Sequence, residues 1–235
     1  MRVRPLVAVS LALTLTVAGA QVSPDADIPL LHAESDFAVC LDPQVGSGFG
    51  PPGPVVPATP DEELTPEARE QRARRQAFRE LMPAYLARLP EEVTEPMLMP
   101  VEGVRVAQVA NTFSAPRSGG RSHQGQDIFA PRWTPIRSAT TGIVLEVSDR
   151  FLGGRGVMIL GPGWARYFYT HLEAYADDLR EGMWVTPNTV IGFVGNDGNA
   201  STTPTHLHFA VYEFDRLTCR HRAFDPLPYI VDRSE

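Results

Sequence analysis

Two histidines one residue apart, His206 and His208, lie in the run Thr205-His206-Leu207-His208-Phe209-Ala210-Val211-Tyr212. A strand alternates its faces with period two, so both imidazoles project to one side while Leu207, Phe209 and Val211 turn to the core. Such a pair is either satisfied by interior hydrogen bonds or part of a metal site, since imidazole is the commonest metal ligand. Upstream, Ser122-His123-Gln124-Gly125-Gln126-Asp127 offers another histidine and a carboxylate four residues on, with Gly125 between them for a tight turn. Two histidines and an aspartate without a nearby cysteine match a catalytic zinc set, because structural sites close with four protein ligands, usually including thiolates. A further histidine, His171, ends the strand-like run Tyr167-Phe168-Tyr169-Thr170-His171-Leu172. On its own, a histidine in that place is more often structural than catalytic.

The order His-x3-Asp, Tyr-x-His-Leu, His-x-His-Phe, with Thr141-Gly142-Ile143-Val144 after the first element and Ile191-Gly192-Phe193-Val194-Gly195 before the last, resembles the lysostaphin-type (LytM-like) zinc endopeptidases of bacterial cell walls. The resemblance covers roughly Asn111 to Glu213. It also takes in Thr134-Pro135-Ile136 and Arg180-Glu181-Gly182-Met183-Trp184-Val185. It implies that His123, Asp127 and His208 hold zinc and that His171 and His206 are the unligated catalytic histidines. Two departures bear on substrate preference. Gly153-Gly154-Arg155-Gly156 stands where the family has a small Gly-aromatic-Gly turn, and the segment 196–205 is longer and polar.

Chemistry follows from this set. Zinc with three protein ligands lowers the pKa of a bound water from about 16 to about 7 and polarises a scissile carbonyl. The chain has no His-Glu-x-x-His run, so the usual metalloprotease glutamate is not the base. Unligated histidines are then the expected candidates, His171 and His206, to take the water's proton or to bond the developing oxyanion. Rival constellations are weaker. His221 and Asp225 repeat the four-residue spacing without a glycine turn or a paired histidine and read as a surface i,i+4 pair. Ser122, His171 and Asp149 make a serine triad only on paper, with no Gly-x-Ser-x-Gly elbow. His32 sits alone in an acidic stretch.

The first residues bound where this chemistry happens. Met1-Arg2-Val3-Arg4 is basic, Leu6 to Val17 is apolar, and Ala18-Gly19-Ala20 is a small-residue cleavage site, together a secretory signal. The apolar stretch is well short of the ~20 residues a membrane span needs. The first cysteine is Cys40, so the new N-terminus carries no lipid attachment point, and Cys40 is expected to pair with Cys219 in an oxidising compartment. All 21 basic side chains of the 235 residues are arginine, the net charge is -7, and no basic stripe exists for nucleic acid.

Positioning these groups requires a scaffold. Residues 1–20 read as the signal and 21–64 as an acidic, Pro/Gly-rich linker without fixed structure. Residues 65–100 form a helical segment: Thr65-Pro66 starts a helix whose stripe Phe78, Leu81, Met82, Tyr85, Leu86 and Leu89 docks on the following domain, with Pro83 kinking or shortening it. Residues 101–235 show short β-rich runs (143–148, 156–160, 165–170, 190–194, 207–213) between Gly, Pro, Asn and Asp, an all-β antiparallel domain. The resemblance adds a compact β-sandwich or barrel-like hybrid with zinc in a groove between loops. The function expected is exported zinc-dependent cleavage of peptidoglycan peptides. The alternatives are a silent peptidoglycan-binding activator of another wall hydrolase, and a zinc D,D-peptidase, whose usual His-x6-Asp spacing this chain does not share.

Overall fold

The computed structural model describes residues 64–218 and 220–234. The expected export signal, the expected linker up to residue 63, His32, and both Cys40 and Cys219, whose pairing is expected, lie outside the described residues. Helix α1 (Pro66–Leu86) begins where Thr65 offers its carbonyl to the Arg69 amide at 3.0 Å, with proline in the first helical position. Pro83 does not stop it. The bond that residue 83 cannot donate is lost, yet the helix runs on to Leu86 and closes through Ala87 N to Pro83 O at 3.0 Å. Burial holds this last turn: Met82, Leu86 and Leu89 pack on Ile143, Leu160 and Trp164 of the β domain. Leu81, one step round from Met82 at the edge of the stripe, stays 50% exposed. Among the described residues no helix is long and apolar enough to cross a membrane.

The rest is an all-β fold. Short β1 (Met97–Leu98) pairs in parallel with β12 (Ile230–Val231), so the sheet structure begins just before residue 101 and is closed by the chain's far end. Strands β2 (Gln126–Phe129), β3 (Pro135–Arg137), β4 (Gly142–Phe151), β5 (Gly154–Leu160) and β6 (Arg166–Thr170) follow. Then come β7 (Leu172–Tyr175), β8 (Trp184–Val185), β9 (Val190–Val194), β10 (His206–Asp215) and β11 (Arg220–Phe224). A curled antiparallel sheet runs β11-β10-β6-β5-β4-β8, with β2 also on β10, and a smaller sheet runs β3-β9-β7. Their facing sides enclose Ile128, Ile136, Val157, Ile159, Tyr169, Leu172, Ile191, Val194, Leu207 and Phe209, all completely buried. The β-branched and aromatic residues at alternate positions account for both the strands and the core.

β10 carries His206 and His208. It pairs with β2 over His206 to Phe209, with β6 over His208 to Tyr212, and with β11 over Val211 to Asp215. As the alternation predicts, Leu207, Phe209 and Val211 are buried in the core, which leaves His206 and His208 on the opposite face.

Candidate functional site

Residues directly opposite in an antiparallel ladder share a face. The β2–β10 register sets Asp127 opposite His208 and Phe129 opposite His206. His123 joins them from the preceding loop, where Ser114 N to His123 O (2.8 Å), His123 N to Ala115 O (2.9 Å) and Arg117 N to Arg121 O (2.8 Å) form a short hairpin-like ladder. The turn at its tip has Gly119 and Gly120 at φ +73° and +72°, a conformation glycine adopts without strain. Gly125 is demanded by space: a Cβ there would lie 2.6 Å from Phe209 O and 2.8 Å from His208 Cε1.

His123, Asp127 and His208 each present one donor atom, all within 4.8 Å of one another. His123 Nε2 is 2.8 Å from His208 Nδ1 and 3.1 Å from Asp127 Oδ1, and His208 Nδ1 is 3.2 Å from the same oxygen. The His123 Nδ1–H donates to the Thr112 carbonyl at 2.7 Å, which turns the Nε2 lone pair inward. Burial of Asp127 favours its neutral form, but the close approach of His123, His208 and Arg117 outweighs it and holds the carboxyl well below the usual carboxylate range. Burial drives His208 down as well. Two imidazole nitrogens and a charged carboxylate oxygen, oriented by backbone, fit a borderline cation such as Zn2+ and leave further coordination positions open.

His206 and His171 stand beside this cluster. His206 Nδ1–H donates to Pro204 O at 2.8 Å, and its Nε2 is 3.7 Å from Asp127 Oδ1. His171 Nδ1–H is shared by Gly153 O (3.0 Å) and Asp197 O (2.9 Å), and the two rings lie 4.8 Å apart between centroids. Burial pushes His171 down to about 4, against the pull of those carbonyls, so the imidazole is neutral near pH 7. Each ring thus keeps an Nε2 lone pair. His171 reaches this face through a backbone kink. Thr170 is opposite His208, so strict alternation would send the next side chain to the other face, but His171 adopts φ +66°.

Residues 121–226 match peptidase family M23. This stretch is an M23 peptidase domain. It holds all five residues just described. The L-Ala-D-Glu endopeptidase of Bacillus subtilis (strain 168) is 32% identical over 117 residues, 48% of this chain and 35% of that protein. Lysostaphin of Staphylococcus simulans is 32% identical over 115 residues, 47% of this chain and 22% of that protein, so the chain spans well under half of either relative. The catalytic domain of that lysostaphin is similar in structure with a TM-score of 0.44 at 27% identity, over 52% of this chain and 90% of that domain.

Two loops of the M23 domain border His171. Their glycines let the loops touch. A Cβ on Gly154 would lie 2.5 Å from Gly198 N, and one on Gly153 would overlap Thr170 Oγ1. Arg155, where the family's aromatic is replaced, ties the same loops: its amide donates to Asp197 Oδ2 at 2.9 Å and its guanidinium to the Glu173 carbonyl. Arg132 adds bonds to Glu173 and, at 2.6 Å, to Asn196 Oδ1. Two apolar side chains near the cluster are exposed: Phe129 at 55%, its ring 5.3 Å from that of His206, and Leu152, next to Gly153, at 65%.

The rival constellations fall apart in space. His221 lies on β11 with Nε2 at 3.3 Å from the Trp164 carbonyl, whereas Asp225 accepts from Asn111 and Gln126. An extended strand holds residues four apart well beyond pairing distance, so the helical i,i+4 reading is corrected. Asp149 accepts from Tyr175 Oη at 2.6 Å. Sequence reasoning passed over Thr112, Arg117 and the side chain of Gln126. Fully buried Gln126 accepts from Thr112 N (2.8 Å) and Oγ1 (3.2 Å) and donates to Asn111 Oδ1 (2.9 Å) and Asp225 Oδ1 (2.7 Å). It thereby fixes the residue whose carbonyl orients His123.

Proposed function

We propose that the M23 domain is a zinc-dependent endopeptidase acting on peptide bonds of bacterial peptidoglycan, and that the protein is exported to reach it. The supporting observation is the convergence of His123 Nε2, Asp127 Oδ1 and His208 Nδ1 beside two further imidazoles with free Nε2 lone pairs. In this reading His123, Asp127 and His208 hold the ion. Zinc would supply a Lewis acid that polarises the scissile carbonyl and makes water acidic enough to react near neutrality.

The chain's own groups do the rest. Backbone carbonyls fix the Nδ1–H tautomer of both His171 and His206, so each Nε2 can accept a proton from the attacking water and, once protonated, donate to the oxyanion or the leaving amine. The fixed tautomers mean that neither ring has to reorganise as charge develops. Phe129 and Leu152 offer apolar walls to the residues flanking the bond. The names of the B. subtilis and S. simulans relatives support peptide cleavage in the wall as the activity class.

The test is direct. Purified protein should clear a peptidoglycan suspension, stop with chelator, recover with zinc, and release new amino termini without new reducing ends. Reducing ends would mean glycosidic cleavage, and stoichiometric zinc with no cleavage of any wall type would replace the enzyme by an activator.

A further inference from the structure

Asp127 uses its two carboxylate oxygens differently. Oδ1 faces the histidines, at 3.1 Å from His123 Nε2, 3.2 Å from His208 Nδ1 and 3.7 Å from His206 Nε2. Oδ2 is taken by Arg117 NH2 at 2.5 Å. Arg117 belongs to the same hairpin-like ladder as His123, its amide bonded to Arg121 O across the Gly119-Gly120 turn, so its backbone is held next to the cluster. The Arg117 side chain is 41% exposed, against 9% for Asp127. An ion pair that is only a surface contact contributes little, but this one ends on a carboxylate whose other oxygen lies among three imidazoles.

We propose that Arg117 is a positioning residue that makes Asp127 a one-oxygen ligand. By occupying Oδ2 it stops the carboxylate from turning both oxygens toward the ion, and so keeps a coordination position open for water or substrate. A guanidinium suits the task because it stays charged and presents its donors in a rigid plane. The inference rests on the metal centre proposed above and concerns its coordination number rather than its activity.

The test uses the full protein with zinc and with Co2+ in its place, comparing Arg117→Met, Arg117→Lys and the unaltered chain. Competition against a chromophoric chelator gives zinc affinity, and the visible absorption of the Co2+ form reports coordination number, being weaker as that number rises. Arg117→Met should bind zinc about 10- to 100-fold more weakly, the range for losing a partner that orients a ligand. Its Co2+ absorption should also weaken, as the freed oxygen joins the ion. Arg117→Lys should recover much of both. Equal affinity and an identical Co2+ spectrum in Arg117→Met, with fold intact by circular dichroism, would overturn the role of Arg117. Tighter zinc in that variant would also overturn it, by making Arg117 a competitor of the ion. Failure of the unaltered chain to bind zinc would overturn the metal centre itself, and loss of peptidoglycan cleavage alone would touch neither.

Discussion

Replacing Gln126 by methionine tests whether His123, the histidine proposed to bind zinc, is held from behind. Methionine keeps the length and most of the volume of the side chain, so the substitution removes hydrogen bonds while leaving little cavity. Of the four bonds lost, two end on acceptors with another partner, and a third on the Thr112 hydroxyl, which keeps a bond it accepts but loses the acceptor of its own hydrogen. Thr112 Oγ1 still accepts from Asp127 N at 2.9 Å, Asn111 Oδ1 from Phe113 N at 2.9 Å, and Asp225 Oδ1 from Leu227 N at 3.0 Å. The Thr112 amide, at 2.8 Å from Gln126 Oε1, has no second acceptor among the described bonds. A stranded donor costs about 1–3 kcal/mol, and each bond whose partner is otherwise satisfied adds up to about 1 kcal/mol. With both the Thr112 amide and its hydroxyl left without an acceptor, the expected loss is at least about 2 kcal/mol, read as a lower urea midpoint at unchanged slope.

The second readout is specific to function. Thr112 O accepts the Nδ1–H of His123 at 2.7 Å, and its displacement releases the ring that must aim Nε2 at the ion. Zinc affinity should fall by about 10- to 100-fold. A stability change below about 0.5 kcal/mol, or an unchanged zinc dissociation constant in a destabilised variant, would refute the chain from Gln126 through Thr112 to His123.

Two further outcomes follow from the geometry. His123→Ala, Asp127→Ala and His208→Ala should each abolish stoichiometric zinc, whereas His206→Ala should retain it and lose most turnover; metal analysis beside a cleavage assay separates the two classes. Gly198→Ala should disorder the contact between the loops at Gly153-Gly154 and Asp197-Gly198, because the added carbon would overlap backbone and φ is +64°. Limited proteolysis at those loops reads this, and an unaltered cleavage pattern would contradict it.

What the sequence made legible was whatever a short period encodes. Alternation over Thr205 to Tyr212 separates His206 and His208 from Leu207, Phe209 and Val211 without knowledge of any partner. The strand runs were readable for the same reason, and the stripe on α1 from its helical period. The supports of the site are not local. Gln126 reaches Asp225 and Thr112, Arg117 reaches Asp127, and Asp197 reaches His171, across separations with no characteristic spacing. A glycine in sequence is compatible with either openness or close approach, and only the neighbouring loop decides which; at Gly154 and Gly198 it is close approach. Leu81 misled because a stripe's edge depends on how far the facing surface curves round the helix.

The kink at His171 was illegible for a further reason: nothing in a histidine announces φ +66°. The chain leaves the curled sheet at Thr170 and enters the smaller one at Leu172, and the left-handed residue between them makes that switch. A non-glycine residue there costs about 1–2 kcal/mol. Complete burial of Leu172, which pairs with Val194, and the bonds from Nδ1 to Gly153 and Asp197 offset it. Backbone and chemistry can be separated by two substitutions. Asparagine tolerates the left-handed region and carries an amide N–H that can replace Nδ1–H, so His171→Asn should unfold within about 1 kcal/mol of the unaltered protein while losing turnover. Valine is β-branched and strained at positive φ, so His171→Val should lose turnover and about 2–3 kcal/mol of stability as well. Urea unfolding beside the cleavage assay distinguishes them. Equal stability of the two variants would mean that the kink is not what constrains this position, and full turnover in His171→Asn would remove the imidazole from the chemistry.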